Sequence, residues 1–425
     1  MDRRSYSFLL YLLSPLIWLY FLQRGYKDSR YLKNLKQRLG LFDSNVATNG
    51  LHIHCASMGE TLAAAPLIIQ FVKKYPDLAI TISSTTPTGK AEALKLIKKL
   101  NQTNIQHCYL PIDWSGSCKR FIKRIQPKLT ILMETELWPN LLNELSKEQI
   151  PVLLANARMS ESSLKKYLKY PKLSSEIFSN ISIIAAQYES DGLNFQTLGA
   201  DKDRVKLTGN IKFDIQISAK LIEQQKRLKQ DWTHNRPCWI AASIHPGEFD
   251  FILNSHMRLL KKIPNLLLIG VPRHPERFDD FKKACQHHQL NYISRTDNQL
   301  PTDDHSVIVG DTMGELLLFY GVADIAFIGG SLIPRGGHNP IEAAACRLPV
   351  IIGDSYFNFS DVTFKMQQDN SLERIFNEND LTDIIKKTLS DPKLLNEKSE
   401  ASRKVLESNK GAVEKIIQHA SQLIN

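Results

Sequence analysis

Beyond residue 50, the sequence alternates short apolar runs with longer segments in which apolar residues recur every three or four positions. Unbroken apolar runs are typical of parallel strands that are buried on both faces, and the longer segments have the period of a helix. In the first half, the runs predict strands at 51–57, 79–84, 107–111, 128–134, 151–157, 182–187 and 205–209. In the second half, they predict strands at 238–243, 265–271, 306–310, 323–330 and 349–353.

The alternation pauses once, near residues 209–218, and resumes after a polar, charged helical segment. A chain of 425 residues is too long for one ordinary hydrophobic core. Strands that alternate with helices predict doubly wound sheets. We therefore predict an α/β protein with domains at 41–212 and 213–425 that face each other across a cleft. Ligands of such sheets bind at the carboxyl ends of the strands, so the site is predicted there.

Residues 7–22, SFLLYLLSPLIWLYFL, form the one strongly apolar segment of the sequence, and basic residues lie on both sides of it. Its length is below the roughly 20 residues that a spanning helix needs, and Pro15 lies in its middle. Trp18 and the tyrosines suit the interface of a bilayer, and no small-residue cleavage site ends the segment. We predict that residues 1–40 are a membrane anchor with a basic flank. A helix packed on a protein core is the alternative.

The net charge of +10 favours an anionic partner, which could be nucleic acid, a phosphorylated substrate or an acidic membrane surface. The basic residues are not interleaved with aromatic residues on a recognisable module, so we predict no nucleic-acid partner. The six cysteines are scattered, without a CxxC pair or zinc-type spacing. We therefore predict a reducing compartment and no metal site.

The stretch FIGGSLIPRGGHNPIEAAA, residues 327–345, places four glycines between a predicted strand and a predicted helix. Such a turn presents backbone N–H groups and the positive end of the helix dipole to an anion. Asn339 is predicted as the N-cap, Pro340 as the first helical residue, and Glu342 as an acceptor for sugar hydroxyls. Together these features predict a nucleotide. The alternative is that the glycines only turn the chain and Glu342 only complements the dipole.

Charged residues at other predicted strand ends suggest catalytic roles. Glu60 follows the first strand beside a glycine, which suits a general base; the alternative is an acid that only stabilises a helix start. Glu134 ends another strand, where a solvated acid is the alternative. Lys212 lies in the linker, where a surface lysine is the alternative. No Walker loop and no GxGxxG follows the first strand, which argues against simple kinases and dehydrogenases.

Several motifs together resemble glycosyltransferase family 30, the 3-deoxy-D-manno-octulosonic acid (Kdo) transferases of lipopolysaccharide biosynthesis. They are SMGET (57–61), TPTG (86–89), METELWPN (133–140), ANAR (155–158), GNIKFD (209–214), VPRHPERF (271–278), GDTMGEL (310–316) and GGSLIPRGGHNPIEAA (329–344). The resemblance runs from the N-terminal segment nearly to the end of the chain. One departure is residues 243–249, SIHPGEF, where the family usually reads STHEGEE, so this loop is left outside the predicted site.

The resemblance implies a GT-B fold of two Rossmann-like domains, with a lipid acceptor on the N-terminal half and CMP-Kdo on the C-terminal half. It implies inverting transfer of Kdo to a phosphorylated lipid A precursor (lipid IVA) on the cytoplasmic side of the inner membrane. The acidic residues near Trp138 have no metal-ligand context and the sequence has no convincing catalytic Asp-x-Asp site, so we predict transfer without a metal or another cofactor. Glu60 matches the proton acceptor of the family, and Glu134 and Lys212 match residues that stabilise the transition state. The implied CMP contacts are Pro272, Arg273, Met313, Gly314, Glu315, Asn339, Pro340, Ile341 and Glu342.

Two other functions fit the same residues. One is a different GT-B transferase or an epimerase that uses a UDP-sugar, and the other is a membrane-anchored nucleotide-binding scaffold without turnover. Competition by CMP or UMP separates the first from a Kdo transferase, and product formation separates the second.

Overall fold

Seven parallel strands form the sheet of the first half of the chain in the computed structural model, which describes residues 1–42 and 46–424. Their bounds are β1 (Leu51–His54), β2 (Ile80–Ser84), β3 (Ile105–Tyr109), β4 (Leu129–Met133), β5 (Val152–Ala157), β6 (Ile183–Ala186) and β7 (Val205–Leu207). Their order across the sheet is β3-β2-β1-β4-β5-β6-β7. The order reverses between β1 and β4, which makes their carboxyl ends the switch point of the sheet. All seven strand predictions for this half are confirmed.

Helices cover both faces of this sheet. They are α1 (Arg3–Leu12), α2 (Ser14–Lys27), α3 (Leu35–Arg38), α4 (Met58–Lys74), α5 (Pro87–Leu100), α6 (Ser115–Ile125), α7 (Pro139–Lys147), α8 (Glu161–Tyr167), α9 (Pro171–Ser179) and α10 (Glu189–Thr197). Apolar residues of α4 and α5 pack with one face of the strands, and those of α6, α7, α9 and α10 pack with the other. Burial on both faces explains why the strand sequences are apolar without regular alternation.

The N-terminal segment is two helices rather than the single anchor helix that we predicted. The axes of α1 and α2 are bent by 57° at a break at Leu13. Pro15 is the physical reason, because proline lacks the N–H that would continue the first helix and its ring clashes with the preceding turn. Within the part of the chain that the structure describes, no single helix is long and apolar enough to cross a membrane, although this bent pair reaches the threshold when taken together.

The helix pair packs on the start of α6 and on α7 through aromatic and polar contacts. Tyr11 stacks on Trp114 with ring centroids 6.0 Å apart, and Trp18 contacts the same ring at 6.2 Å in a tilted arrangement. The Trp114 indole N–H donates to the Leu10 carbonyl. The pair also carries exposed large apolar side chains, which are Phe8, Leu9, Leu12, Leu13, Leu16, Leu19, Tyr20, Leu22 and Tyr26, and Tyr11 is partly exposed beside Trp114. The pair is therefore held by protein contacts and still leaves many apolar side chains exposed.

A second parallel sheet organises the rest of the chain. Its strands are β8 (Cys238–Ile244), β9 (Leu267–Pro272), β10 (Tyr292–Ser294), β11 (Val307–Val309), β12 (Ile325–Ile328), β13 (Val350–Ile352) and β14 (Leu372–Arg374), in the order β10-β11-β9-β8-β12-β13-β14. The five strand predictions for this half are confirmed. The sequence analysis missed β10 and β14, because each is a three-residue edge strand that is partly exposed and lacks an apolar run.

The helices around the second sheet are α11 (Ala219–Thr233), α12 (Pro246–Leu260), α13 (Phe278–His287), α14 (Leu316–Tyr320), α15 (Ile341–Ala345), α16 (Ser360–Gln368), α17 (Glu378–Ser390) and α18 (Pro392–Asn409). The core of this unit is formed by the strand side chains together with α12, α13 and α17.

The chain divides into a first unit of Met1–Asp214 with Lys410–Asn425, and a second unit of Ile215–Asn409. The predicted C-terminal domain of 213–425 is corrected in this respect, because its last helix, α19 (Ala412–Ile424), belongs to the first unit. The buried face of α19 joins the core beside α4. The Asp214 carboxylate accepts hydrogen bonds from the Gly411 and Val413 N–H groups, both at 2.6 Å, and so caps this helix. The sequence of an amphipathic helix does not reveal which sheet it covers.

We predict that Ile416→Ala destabilises the first unit. Ile416 is fully buried between α19 and the first sheet, and a buried isoleucine truncated to alanine typically lowers the free energy of unfolding by about 2–5 kcal/mol. Urea denaturation, with hydrogen exchange of β1 and β4 as the readout for this unit, measures the change. Gln418→Ala, at an exposed position of the same helix, is the control. Equal effects of the two substitutions would show that α19 is not part of this core.

Candidate functional site

Glu60 lies in the first turn of α4, directly after the carboxyl end of β1. Ser57 caps this helix, because its side-chain oxygen accepts a hydrogen bond from the Glu60 N–H at 3.3 Å. In return, the Glu60 carboxylate accepts from the Ala56 N–H at 2.9 Å and from the Ser57 hydroxyl at 3.0 Å. This reciprocal capping fixes the carboxylate at the strand end, where it remains partly exposed.

Two more carboxylates lie near Glu60, and both follow β4 at the switch point. Burial raises the pKa of Glu60 to about 7, and the negative charges of Glu136 and Glu134 add to this effect against the hydrogen bonds from Ala56 and Ser57. A carboxyl group whose pKa is near neutrality accepts and releases a proton at physiological pH, as a general base must.

Glu134 and Lys212, which were predicted separately, come together at this switch point. The Lys212 Nζ lies 3.9 Å from the Glu134 Oε1. Glu134 has a φ of 56°, in the left-handed region that non-glycine residues seldom occupy. Its N–H still continues the sheet by donating to the Ala155 carbonyl at 2.9 Å. Such backbone geometry is concentrated at functional sites, because the surrounding structure must hold it in place.

A buried network of amide side chains positions Lys212. The Asn210 Oδ1 accepts from the Lys212 N–H at 3.0 Å, and the Asn210 Nδ2 donates to the Gln187 Oε1 at 2.9 Å. The Gln187 side chain donates to the Asn156 carbonyl at 2.8 Å, and the Asn156 Oδ1 accepts from the Ile211 N–H at 3.1 Å. Three buried amides therefore fix the backbone that carries the lysine toward the switch point.

The sequence analysis missed Glu136 and His54. The Glu136 carboxylate accepts from the Trp138 indole N–H at 3.2 Å and lies 3.7 Å from the His54 Nε2. His54 is buried in β1, and its Nδ1 lies 2.8 Å from the Ser83 hydroxyl. Two signals were present in the sequence, because a histidine interrupts an apolar strand and Glu136 lies two residues from Glu134.

In the second unit, the glycine-rich stretch between β12 and α15 needs its glycines. Gly330 has a φ of 69°, which only glycine adopts readily. Gly329 packs so closely on β8 that a Cβ would lie 2.6 Å from the Ser243 carbonyl oxygen. The prediction that this turn presents its backbone N–H groups to a ligand is not borne out at residues 330–332, whose N–H groups are turned inward. At these positions the alternative, that the glycines turn the chain, fits the structure.

A buried carboxylate holds this loop. Glu248 accepts hydrogen bonds from the N–H groups of residues 330–332 at 2.8, 3.1 and 3.0 Å, and from the His245 N–H at 2.9 Å. Four backbone donors replace the water that the fully buried carboxylate has lost. Glu248 belongs to the departing stretch 243–249, which the sequence analysis left outside the site. It positions the loop although the neighbouring family acids are absent.

Asn339 and Glu342 lie together at the start of α15. The Asn339 Oδ1 accepts from the Ile341 N–H at 3.1 Å, so Asn339 caps this turn, although the helix begins at Ile341 rather than at the predicted Pro340. The Asn339 Nδ2 donates to the Glu342 Oε1 at 3.3 Å. Burial raises the pKa of Glu342, and Asn339 and Arg273 act against that rise.

Pro272 ends β9, and Arg273 follows it with a charge that acts on Glu342 and on two histidines. The Nε2 atoms of His245 and His338 are 3.0 Å apart. Burial, together with the charge of Arg273, lowers the pKa of His338 to about 4. The histidine pair is therefore neutral near pH 7, and Arg273 supplies the positive charge of this region.

The third predicted donor-binding stretch follows β11. Gly314 has a φ of 85°, and Met313 is exposed beside it. The Glu315 carboxylate accepts from the Arg295 guanidinium at 3.1 and 3.2 Å and from the Thr312 hydroxyl at 2.5 Å. Burial alone would raise the pKa of Glu315, but these partners outweigh it and lower the pKa. Arg295 follows the missed strand β10, which explains why the sequence analysis did not find this pair.

The predicted site residues thus form two sets. Glu60, Glu134 and Lys212 lie at the switch point of the first sheet, and the nine predicted CMP residues follow β9, β11 and β12 of the second. Among residues 1–42 and 46–424, no three His, Cys, Asp or Glu side chains are grouped in a way that could hold a metal ion.

Comparison with known proteins gives consistent matches. The family model for 3-deoxy-D-manno-octulosonic-acid transferase (kdotransferase) matches residues 33–215. A 3-deoxy-D-manno-octulosonic acid transferase of Haemophilus influenzae is 41% identical, with 98% of this chain and 97% of the relative covered. One from Bordetella pertussis is 33% identical over 85% of each chain.

The fold of the chain also resembles a solved structure of a glycosyltransferase from Rickettsia africae ESF-5. The TM-score is 0.57 at 14% identity, with 89% of this chain and 99% of the other covered. This likeness shows the fold alone and agrees with two parallel-sheet α/β units. The relatives confirm the resemblance found in the sequence motifs: the chain belongs to the 3-deoxy-D-manno-octulosonic acid (Kdo) transferases, a family of glycosyltransferases.

Proposed function

We propose that this Kdo transferase moves Kdo from CMP-Kdo to a hydroxyl group of a phosphorylated lipid A precursor, lipid IVA, with inversion at the anomeric carbon. The observation that carries the proposal is the arrangement of Glu60 beside Glu134, Glu136 and Lys212 at one switch point. It provides a partly exposed carboxyl group with a pKa near neutrality and a cation close to the developing charges.

Glu60 acts on the acceptor in this mechanism. Its ionised carboxylate takes the proton of the acceptor hydroxyl while the oxygen forms a bond to the anomeric carbon of Kdo. The bond from that carbon to the phosphate oxygen of CMP breaks, and CMP leaves with the electron pair. Attack from the face opposite the leaving group inverts the anomeric centre. Lys212, held by its amide network and paired with Glu134, stabilises the charge that develops.

The donor binds the second unit in this proposal. Arg273 supplies positive charge for the phosphate of CMP, and the loop that Glu248 holds leads into Asn339 and Glu342 at the start of α15. Glu342 accepts hydrogen bonds from the ribose hydroxyls, and the Asn339 amide donates one to the ribose. Met313, Gly314 and Glu315 complete the nucleotide site. Because Arg273 offsets the leaving-group charge, we propose transfer without a metal ion or another cofactor.

We also propose that the bent pair of α1 and α2 lies in the membrane interface, with the catalytic units on the cytoplasmic side of the inner membrane. Its exposed apolar side chains, Trp18, and the basic residues after it are those of an interfacial anchor. This placement brings the enzyme to a lipid-borne acceptor.

Glu60→Gln should remove transfer while the fold and CMP binding remain. Glutamine accepts and donates at the helix start but takes no proton, so the rate should fall roughly 10²–10⁴-fold. In the wild type, the active form is ionised, so the rate of the chemical step should rise with pH through about 7 and then level off. Single-turnover assays with CMP-Kdo across pH measure both effects. Near wild-type rates in the variant would assign the base to another residue.

Glu342→Ala should weaken CMP binding, because the carboxylate that accepts from the ribose is lost. A hydrogen bond to a charged group contributes about 1.5–3 kcal/mol, so the dissociation constant should rise roughly tenfold or more. Calorimetric titration with CMP measures it, and titration with UMP tests the alternative of a UDP-sugar enzyme. Glu378→Ala, on α17 of the same unit, is the control. Unchanged CMP affinity in folded Glu342→Ala, or tighter binding of UMP, would contradict the assignment.

Replacing Leu12, Leu16 and Leu19 with glutamine should release the protein from vesicles without unfolding it. All three side chains are exposed, and burial of one leucine in an apolar phase is worth about 1.5–3 kcal/mol. Sedimentation with vesicles made from inner-membrane lipids measures the bound fraction. Leu300→Gln, at an exposed position in the second unit, should bind like the wild type. Retained binding of the triple variant would place the membrane contact elsewhere.

A further inference from the structure

Arg38 is a buried cation with an unusual environment. Its residue is only 4% exposed, and its guanidinium lies over the rings of Tyr109 and Phe21, at 4.0 and 5.2 Å from their centroids. One terminal nitrogen donates to the Thr85 carbonyl at 2.6 Å. The Nε atom is buried without a hydrogen-bond partner, and no acidic side chain among residues 1–42 and 46–424 pairs with this arginine. Buried charges are normally paired, so this environment lacks an anion.

Lys90 adds a second cation to the same place. It lies in the first turn of α5, and its Nζ is 5.2 Å from the centroid of the same Tyr109 ring. Burial lowers the pKa of Lys90, and the charges of Lys33 and Arg38 lower it further. Burial likewise lowers the pKa of Arg38 to about 10. Within the described residues, no ion pair offsets the repulsion between Lys90 and Arg38. An anionic ligand placed between them would attract both cations.

The motif TPTG, residues 86–89, shapes the same place and had no role in the mechanism above. The Thr86 hydroxyl accepts from the Gly89 N–H at 3.1 Å and caps α5, a helix of 14 residues. The positive end of this helix therefore points to the region that Lys90 and Arg38 flank. Gly89 is needed for packing, because a Cβ there would lie 3.2 Å from the Ser57 carbonyl carbon.

This region is joined to the catalytic carboxylate by a short series of hydrogen bonds. Arg38 donates to the Thr85 carbonyl, and the Thr85 N–H and hydroxyl donate to the Ala56 carbonyl at 3.1 and 2.7 Å. The Ala56 N–H in turn donates to Glu60. On the other side, Phe21 of the helix pair lies under Arg38. The cations therefore lie between the proposed base and the proposed membrane anchor.

We propose that Arg38, Lys90 and the start of α5, with Lys33 beside them, bind a phosphate group of the lipid-borne acceptor. The inference rests on the proposed function, since it adds the contact that places the acceptor hydroxyl at Glu60. A phosphate monoester supplies the missing negative charge and accepts several hydrogen bonds at once. A phosphate of a bilayer phospholipid has similar chemistry, and the experiment separates the two sources.

Lys90→Gln tests the site, because Lys90 is partly exposed and its loss leaves the packing of Arg38 intact. Lys98→Gln, an exposed lysine on the same helix, is the matched control. The value of kcat/KM for Kdo transfer is measured with the acceptor before and after enzymatic removal of its phosphates. Removal of the acceptor phosphates should lower kcat/KM roughly tenfold or more in the wild type and in Lys98→Gln. In Lys90→Gln, kcat/KM with the phosphorylated acceptor should already be as low as that of the wild type with the dephosphorylated acceptor. Removing the phosphates should then change kcat/KM of this variant little.

The other outcomes are decisive as well. If Lys90→Gln still distinguishes the two acceptors as strongly as the wild type, the acceptor phosphate binds elsewhere. If that variant instead only loses binding to vesicles of anionic phospholipid, the site takes a bilayer headgroup and the proposal is wrong. No transfer by the wild type to either acceptor would contradict the proposed function itself.

A second measurement tests the site without turnover. Inorganic phosphate, added with saturating CMP, should raise the melting temperature of the wild type and of Lys98→Gln. Phosphate should raise the melting temperature of Lys90→Gln by less. Equal shifts in all three proteins would overturn the proposal.

Discussion

The need to place charged groups at the edge of a fully buried parallel sheet governs the chemistry of the first unit. Its central strands are covered on both faces, and the catalytic carboxylates lie in the segments that follow the strand ends. Three carboxylates, Glu60, Glu134 and Glu136, share one such edge with Lys212. Desolvation and the charges of Glu136 and Glu134 resist the ionisation of Glu60, while the hydrogen bonds from the Ala56 N–H and the Ser57 hydroxyl favour it. The balance leaves the pKa of Glu60 at about 7.

The second unit satisfies its buried charge in the opposite way. Glu248 is fully buried, yet four backbone N–H groups surround it, and the glycine-rich loop takes its shape from them. Arg38 and Lys90 show a third situation, in which no acidic side chain of the described residues neutralises two desolvated cations. A carboxylate with matched donors is a structural element, whereas unmatched cations indicate a ligand.

Much of this was predictable from the sequence. Continuous apolar runs predicted twelve strands, and the turn chemistry before α15 predicted the capping role of Asn339. The short edge strands β10 and β14 lacked an apolar signal, so Arg295 and its pair with Glu315 were not foreseen. The placement of α19 and the partners of Glu248 depend on tertiary packing, which no local pattern encodes. His54, Glu136 and Arg38 were missed for a related reason, because their environments are built by residues far apart in sequence.

The central claim is that burial and two neighbouring carboxylates raise the pKa of the Glu60 carboxyl group to near neutrality. Its titration by NMR, with ¹³C-labelled glutamate and Glu60→Gln for assignment, measures this directly. The pKa of Glu60 should be about 7. Glu136→Gln should lower it, because Glu136 is the neighbouring carboxylate with the larger effect on this pKa. A pKa near the ordinary value of 4.5, or one that Glu136→Gln leaves unchanged, would contradict the account.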